Sequence, residues 1–229
     1  MICNITWLQA SDYDKTKKLV PSGIKKNYNK IRKLNKNIKI KTWDNNDIIN
    51  LIREDYEEYL NIYNRITDLR FKSDLGRLLI LYKFGGIYID IDQECLVDFN
   101  KFGINDKTKL VLARSLENNR ISNGFIYVKN KKNTFIKEYI KEYINNLKKN
   151  YNYSGCQAIN NIVNKYKNLD LLLLSENCIK KEEECSSITE FYLSFYFFNS
   201  EGEKIMRSRY PNYYADKEIS DLKQLEEFN

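Results

Sequence analysis

Apolar positions along this chain change repeatedly between the two-residue period of strands and the 3.6-residue period of helices. Cys3 to Leu8 is a short apolar run that predicts a first strand, ending at Trp7-Leu8. From Pro21 to Leu34, Ile24, Tyr28 and Ile31 share one helical face, and a proline suits a helix start. Ile38 to Trp43 alternates as a second strand does. Asp44 or Asn45 then caps a short helix through Leu51, and residues 55–67, rich in Tyr and Glu, form another helical segment.

The next stretch, SDLGRLLILYKFGGIYIDIDQE from Ser73 to Glu94, organises the rest. Ser73 is expected to cap a helix, with Asp74 in the first turn, where a negative charge suits the helix dipole. Leu75, Leu78, Leu79 and Tyr82 recur at helical spacing, so one face is expected to be buried. Gly85-Gly86 stops the helix, because glycine takes the left-handed conformation of a C-terminal cap without steric cost. Ile87-Tyr88-Ile89 is apolar and β-prone, as a buried strand is.

Downstream, Lys109 to Arg114 and Gly124 to Lys129 read as strands, and Thr134 to Leu147 and Gly155 to Tyr166 as helices. Leu169 to Leu174 reads as a buried strand, and Thr189 to Phe198 is aromatic and only loosely alternating. The polar tail from Tyr210 ends in a weak helix. The β-α-β-α order predicts an α/β fold, a Rossmann-like mixed sheet flanked by helices. In such sheets ligands sit beyond the carboxyl ends of the strands. Without repeats, Pro/Ser linkers or low-complexity tracts, residues 1–229 are expected to form a single domain.

Composition narrows the chemistry. Of the 229 residues, 42% are hydrophobic and 14% aromatic, which rules out a disordered polymer. The 38 basic and 31 acidic residues give a net charge of +7, spread over surfaces such as Lys131-Lys132 and Lys148-Lys149. This spread, with no clustered basic and aromatic interleaving, argues against nucleic acid and leaves peripheral membrane contact open. No run reaches the roughly 18–20 apolar residues of a membrane span, and MICNITWLQ lacks the pattern of a signal peptide. Five cysteines without a C-x-x-C pair suit a reducing, cytoplasmic setting. Histidine is absent, which excludes Ser-His and Cys-His catalysis and any histidine-ligated metal.

Asp90 and Asp92 project to the same side if the strand continues past Ile89. Two carboxylates at a strand's carboxyl end suit a divalent cation with oxygen ligands, Mg²⁺ or Mn²⁺. Asp74 and Arg77, three residues apart on a helix, lie on one face and within reach of each other.

The composite of S-D-x-x-R, Gly-Gly and D-x-D over residues 73–98 closely resembles the signature of the D-x-D glycosyltransferases of family 32. The glucosylating domains of the large clostridial toxins are more distantly similar. N-I-T-W resembles the family's first strand, N-I-K-I-K-T-W-D-N-N-D its second, and S-N-G-F-I-Y-V a strand that carries an Asn. Ser154-Gly155 resembles a Thr-Gly-Pro turn, with Cys156 in place of Pro. The resemblance implies a GT-A fold, a UDP- or GDP-sugar donor, a divalent cation (usually Mn²⁺) and retention of configuration. It places Trp7 against the nucleotide base, Asp74 and Arg77 on hydroxyls of the donor sugar, and Tyr88 in the ribose or sugar pocket. Asp90 is placed on ribose, sugar or the metal through water, and Asp92 directly on the metal. Asn123 and Gln157 are further candidate donor contacts. Family members often carry a C-terminal His before Ser-Trp; here Tyr214-Ala215-Asp216 stands in a similar place, so Asp216 is the candidate third oxygen ligand.

The expected function is therefore a metal-dependent retaining hexosyltransferase of polysaccharide biosynthesis, with Asp90, Asp92 and Arg77 as its catalytic residues. Residues 1–130 form the donor part and 131–229 the acceptor part, the acceptor being a glycan, a lipid-linked saccharide or a protein. The alternatives are a non-catalytic carbohydrate- or nucleotide-binding module on the same fold and a D-x-D phosphatase. The latter wants its motif near the N-terminus followed by T/V, whereas Gln93-Glu94 follow here.

Overall fold

The computed structural model describes residues 1–6, 8, 19–91, 93–115, 120–150, 153–165, 172–180, 193–199, 201, 203–208 and 225–227. In chain order they form β1 (Ile2–Thr6), β2 (Leu19–Pro21), α1 (Ser22–Leu34), β3 (Lys39–Trp43), α2 (Asn45–Asp55) and α3 (Leu60–Arg65). Then follow α4 (Leu69–Phe84), β4 (Gly86–Ile89), β5 (Gln93–Cys95), β6 (Leu110–Ser115), β7 (Ile121–Val128), α5 (Thr134–Leu147) and α6 (Gly155–Lys165). Strands β8 (Leu172–Lys180), β9 (Leu193–Phe198), β10 (Lys204–Ser208) and β11 (Leu225–Glu227) complete the described chain. No described helix is long and apolar enough to cross a membrane.

One mixed sheet runs in the order β3-β1-β4-β7-β6-β8-β9-β10-β5, and β11 pairs separately with β2. β1 is parallel to both β3 and β4, and β6 to β8, while β7 runs antiparallel between β4 and β6. The carboxyl ends of β1, β4 and β6 therefore share one edge, as the β-α-β-α order predicts. Ile89 and Gln93 are close in sequence, a reach of at most ~14 Å. Yet β5 sits six strands from β4, about 29 Å in a flat sheet. The sheet must therefore curl back toward the end of β4.

Strand alternation buries both faces. Tyr88, Leu110, Leu112, Ile126 and Val128 join one core with α2, α4, α5 and α6. Cys3, Ile5, Ile87, Ile89, Val111, Ala113 and Phe125 join a second core with Ile31 of α1, Phe99 and Phe102. Trp43 is buried, donates Nε1–H to Asn4 Oδ1 at 3.1 Å and packs on Phe84, so it is a core residue. α2 begins with a reciprocal cap: Asp44 accepts from the Asp47 amide, and Asp47 accepts from that of Asp44.

Several boundaries differ from those the sequence pattern predicts. α4 starts at Leu69, not Ser73, because Asp68 is its cap, accepting from Arg70 N at 2.8 Å. Ser73 and Asp74 therefore lie inside the helix. Every residue from Asp74 to Leu81 is buried, rather than one face, because α4 is enclosed by the sheet on one side and by α2, α5 and α6 on the other. Strand β4 ends at Ile89, so the regular alternation does not run on through Asp90, and Ile91 lies in a turn closed by Gln93 N donating to Asp90 O. β7 begins three residues before the expected Gly124, and the described end of the tail is a strand, not a helix, because it pairs with Leu19–Pro21. Pro21, accordingly, ends β2 rather than opening α1.

The α4–β4 turn needs both glycines. Gly85 has φ +64° and donates its N–H to Leu81 O at 2.8 Å. Gly86 has φ +86°, and a Cβ there would lie 2.3 Å from the Ile2 carbonyl oxygen. Both the dihedral and the close approach to β1 exclude a side chain. Gly86→Ala is expected to destabilise the fold by about 2–4 kcal/mol, read as a lower midpoint of urea denaturation; an unchanged midpoint contradicts this packing.

Candidate functional site

At the carboxyl edge of β1 and β4, the guanidinium of Arg77 is the centre of a buried polar cluster. The residue is only 4% exposed. Its Nη2 pairs with Asp74 Oδ1 at 3.1 Å, and its Nη1 pairs with Asp90 Oδ1 at 3.1 Å. Nη1 also donates to the Asn123 carbonyl at 2.5 Å. The Tyr88 ring lies beneath, its centroid 4.5 Å from Cζ. Burial alone lowers the Arg77 pKa, but Asp90, with Tyr88 and Asp74, reverses this and holds it well above its usual value. Arg77 is thus a cation fixed inside the fold, its fork spent on two carboxylates and a carbonyl.

Asp74 owes its place to a different helix from its own. Its Oδ2 accepts the Gly155 amide at 2.7 Å, which is the N-terminus of α6, and its Oδ1 accepts Asn123 Nδ2 at 2.7 Å. Burial raises the Asp74 carboxyl pKa, opposed by Arg77, the Gly155 amide and Asn123. A Cβ on Gly155 would meet Asn123 Nδ2 at 2.5 Å and Asp74 Cγ at 2.7 Å, so a glycine is what lets α6 approach. Tyr139 of α5 donates to the Gly155 carbonyl at 2.8 Å and fixes the same turn from behind.

Asn123 reaches the cluster through an irregularity of β7. Opposite β6, the register jumps from Leu112↔Ile126 to Ala113↔Ser122, leaving Asn123, Gly124 and Phe125 without partners there. Such bulges re-aim side chains at the ends of sheets. This one also presents Gly124 O to the Asp90 amide at 2.8 Å. Cys156 is an exposed residue whose sulfur turns inward to donate to Asn123 Oδ1 at 3.0 Å; burial there, with Asp74, pushes the thiol to about 11.

Asp90 follows the last residue of β4. Its Oδ1 accepts the Tyr88 hydroxyl at 2.8 Å, and its side chain keeps 31% exposure. Burial drives the Tyr88 phenol far above its usual pKa, so it is a permanent hydrogen-bond donor. For a cation with hard oxygen ligands, Asp90 is a fitting residue, partly exposed at the sheet edge. Asp74 is not, since its carboxylate already holds three donors in the interior. No group of three His, Cys, Asp or Glu side chains is arranged to hold a metal ion among the described residues.

The structure thus brings Asp74, Arg77, Tyr88, Asp90 and Asn123 into one network. Gln157 is exposed, and its Oε1 accepts the Ser154 amide at 3.1 Å, the reciprocal contact of a helix cap. Trp7, Asp92 and Asp216 lie outside the described residues. Sequence reasoning gave Ser73 only a capping role and gave Thr6 none. Both hydroxyls join the network: Thr6 Oγ1 lies 2.6 Å from Ser73 Oγ and 2.7 Å from Tyr88 Oη. Only the pairing register points to Thr6, because Asn4↔Tyr88 puts Thr6 level with Asp90, and no local sequence pattern carries it.

Residues 21–109 match the family model described as the glycosyltransferase sugar-binding region containing DXD motif, which bears out the family resemblance. An uncharacterized glycosyltransferase of Acanthamoeba polyphaga mimivirus is 34% identical over 84 residues. That match covers 36% of this chain and 34% of the viral protein, so the chain spans about a third of the curated relative's length. Among solved structures, the PaToxG glycosyltransferase is similar at a TM-score of 0.49 and 16% identity, over 72% of this chain and 67% of that one. A transferase mutant is similar at a TM-score of 0.39 and 13% identity, over 72% and 85%.

Removing Asp74 leaves a buried cation short of a partner and takes the acceptor from the first amide of α6. Asp74→Ala is expected to cost about 3–5 kcal/mol in chemical denaturation. Adding Arg77→Met should recover part of that loss; strict additivity of the two would show that the pair is not coupled.

Proposed function

We propose that the chain is a GT-A-type, metal-dependent retaining glycosyltransferase that moves a hexose-type sugar from a UDP- or GDP-sugar to an acceptor hydroxyl. The observation that carries this reading is the buried Arg77 bridging Asp74 and Asp90 at the carboxyl edge, where α/β sheets bind ligands. The family match over residues 21–109 supports the same reading.

In this proposal Asp90 meets the donor at the sheet edge, directly or through the cation, and Asp92 holds Mn²⁺ or Mg²⁺ with Asp216 as the third oxygen ligand. The bound cation would neutralise charge developing on the leaving diphosphate. Arg77, its charge balanced by Asp74 and Asp90 and its fork immobilised on the Asn123 carbonyl, stands with Asp74 at the donor-sugar hydroxyls and holds Asp90 in place, with no reorganisation as the bond breaks. Asp74 retains an acceptor position on Oδ2 beyond the Gly155 amide, which suits a donor-sugar hydroxyl. Trp7, one residue past β1, packs on the base, while Tyr88, fully buried, serves the ribose or sugar pocket through Asp90. Gln157 remains a donor contact only if α6 releases its cap.

Retention follows from front-face attack. The acceptor oxygen bonds to the anomeric carbon on the face that the nucleoside diphosphate leaves, through an oxocarbenium-like transition state, and the hydroxyl proton passes to the departing phosphate. Residues 1–130 carry the donor and 131–229 the acceptor, a glycan, lipid-linked saccharide or protein.

A nucleotide-sugar panel with Mn²⁺ tests this reading through release of free nucleotide. One donor is expected to turn over, and Asp90→Asn with Asp92→Asn should lower the rate by about 100-fold or more. A wild-type rate no higher than that of the double variant, for every donor, overturns it.

A further inference from the structure

The hydroxyls around Asp90 have a direction that the distances determine. Tyr88 donates its one proton to Asp90 Oδ1, so toward Thr6, 2.7 Å away, and Ser73, a longer 3.3 Å away, its oxygen can only accept. Thr6 then spends its own proton on Tyr88 and must accept from Ser73, at 2.6 Å. Ser73 in turn lies 3.5 Å from Arg77 Nη2, a donor only. The chain of bonds runs Arg77 to Ser73 to Thr6 to Tyr88 to Asp90, and Arg77 closes it through Nη1.

The fold builds this ring from three elements. Thr6 is the last residue of β1, Ser73 lies in α4, and Tyr88 lies in β4. Since Asn4 pairs with Tyr88 in parallel register, Asn4, Thr6 and Tyr88 share the sheet face toward α4. Thr6 is 6% exposed and Tyr88 fully buried, so water does not compete for the bond between them, whereas Asp90 is open on its outer side. Oδ1 takes the Tyr88 proton and lies 3.1 Å from Arg77 Nη1, while Oδ2 accepts from the same nitrogen at 3.3 Å, so each oxygen holds a protein donor and a ligand meets the lone pairs that remain.

We propose that Thr6 is a positioning residue of the donor site, whose hydroxyl, acting through Tyr88, locks the Asp90 carboxylate in the orientation in which it meets the bound donor or its cation. The proposal rests on the donor reading of this site for its consequence, though not for the ring itself. Thr6 needs no contact with the ligand. A valine has the shape of threonine without the hydroxyl, and it breaks the ring at one link.

Two measurements on the full chain decide it. In thermal melts, Thr6→Val should lower Tm by several degrees in the wild type and by less than half as much in an Asp90→Ala background. Equal shifts in both backgrounds overturn the ring, whatever the protein binds. In donor kinetics, Thr6→Val should raise KM about tenfold with kcat falling no more than about threefold, and Thr6→Ser should restore most of the loss. A defect of folding alone would lower apparent kcat and leave KM in place. An unchanged KM in Thr6→Val, or an equal loss in Thr6→Ser, overturns the positioning role. If the wild type turns over no donor, the functional reading fails, and the melts still decide whether Thr6 is coupled to Asp90.

Discussion

A guanidinium buried to 4% exposure is the constraint on which this structure turns. An arginine cannot shed its proton to escape burial, so the fold must supply it with negative charge and carbonyl oxygens. Asp74 comes from the preceding turn of the same helix, Asp90 from the end of the next strand and the Asn123 carbonyl from a bulge in β7. Each of those groups is held by a further one: Asp74 by the first amide of α6, Asp90 by Tyr88, and Asn123 by Asp74 and Cys156. The polar network therefore ties α4, β4, β7 and α6 together where the two cores meet the sheet edge.

That arrangement separates two aspartates that look alike in sequence. Asp74 is an interior group that already accepts from three protein donors, and its main work is to neutralise Arg77 and anchor α6, with one acceptor position on Oδ2 left over. Asp90 shares the same arginine but keeps an exposed side, so it can meet something from outside. The stability of the cluster and the readiness of the site are then the same set of bonds. Arg77 is preorganised because its partners are already in place.

Much of this was legible in the sequence. Helical periodicity located α5 to the residue, and Gly85-Gly86 marked the turn that both positive φ angles require. The S-D-x-x-R and D-x-D composite named the central residues of the cluster. The start of α4 was misread because Asp68, five residues upstream of Ser73, is also a good cap, and a local pattern does not rank the two. Asn123 could be suspected but not placed, since a bulge depends on pairing with β6 rather than on its own residues. Thr6 was invisible for a similar reason. A threonine ending a strand is ordinary until the register sets it level with Asp90. Long-range pairing, which no local window encodes, accounts for what was missed.

The most direct measurement is a crystal structure of the chain with a nucleotide sugar and Mn²⁺. The account predicts the diphosphate beyond the carboxyl ends of β1 and β4, with the Asp90 carboxylate on the donor or the cation and the Arg77 fork still joined to Asp74. A donor bound away from that edge, or Asp90 turned from it with Oδ1 released by Tyr88, would contradict the account.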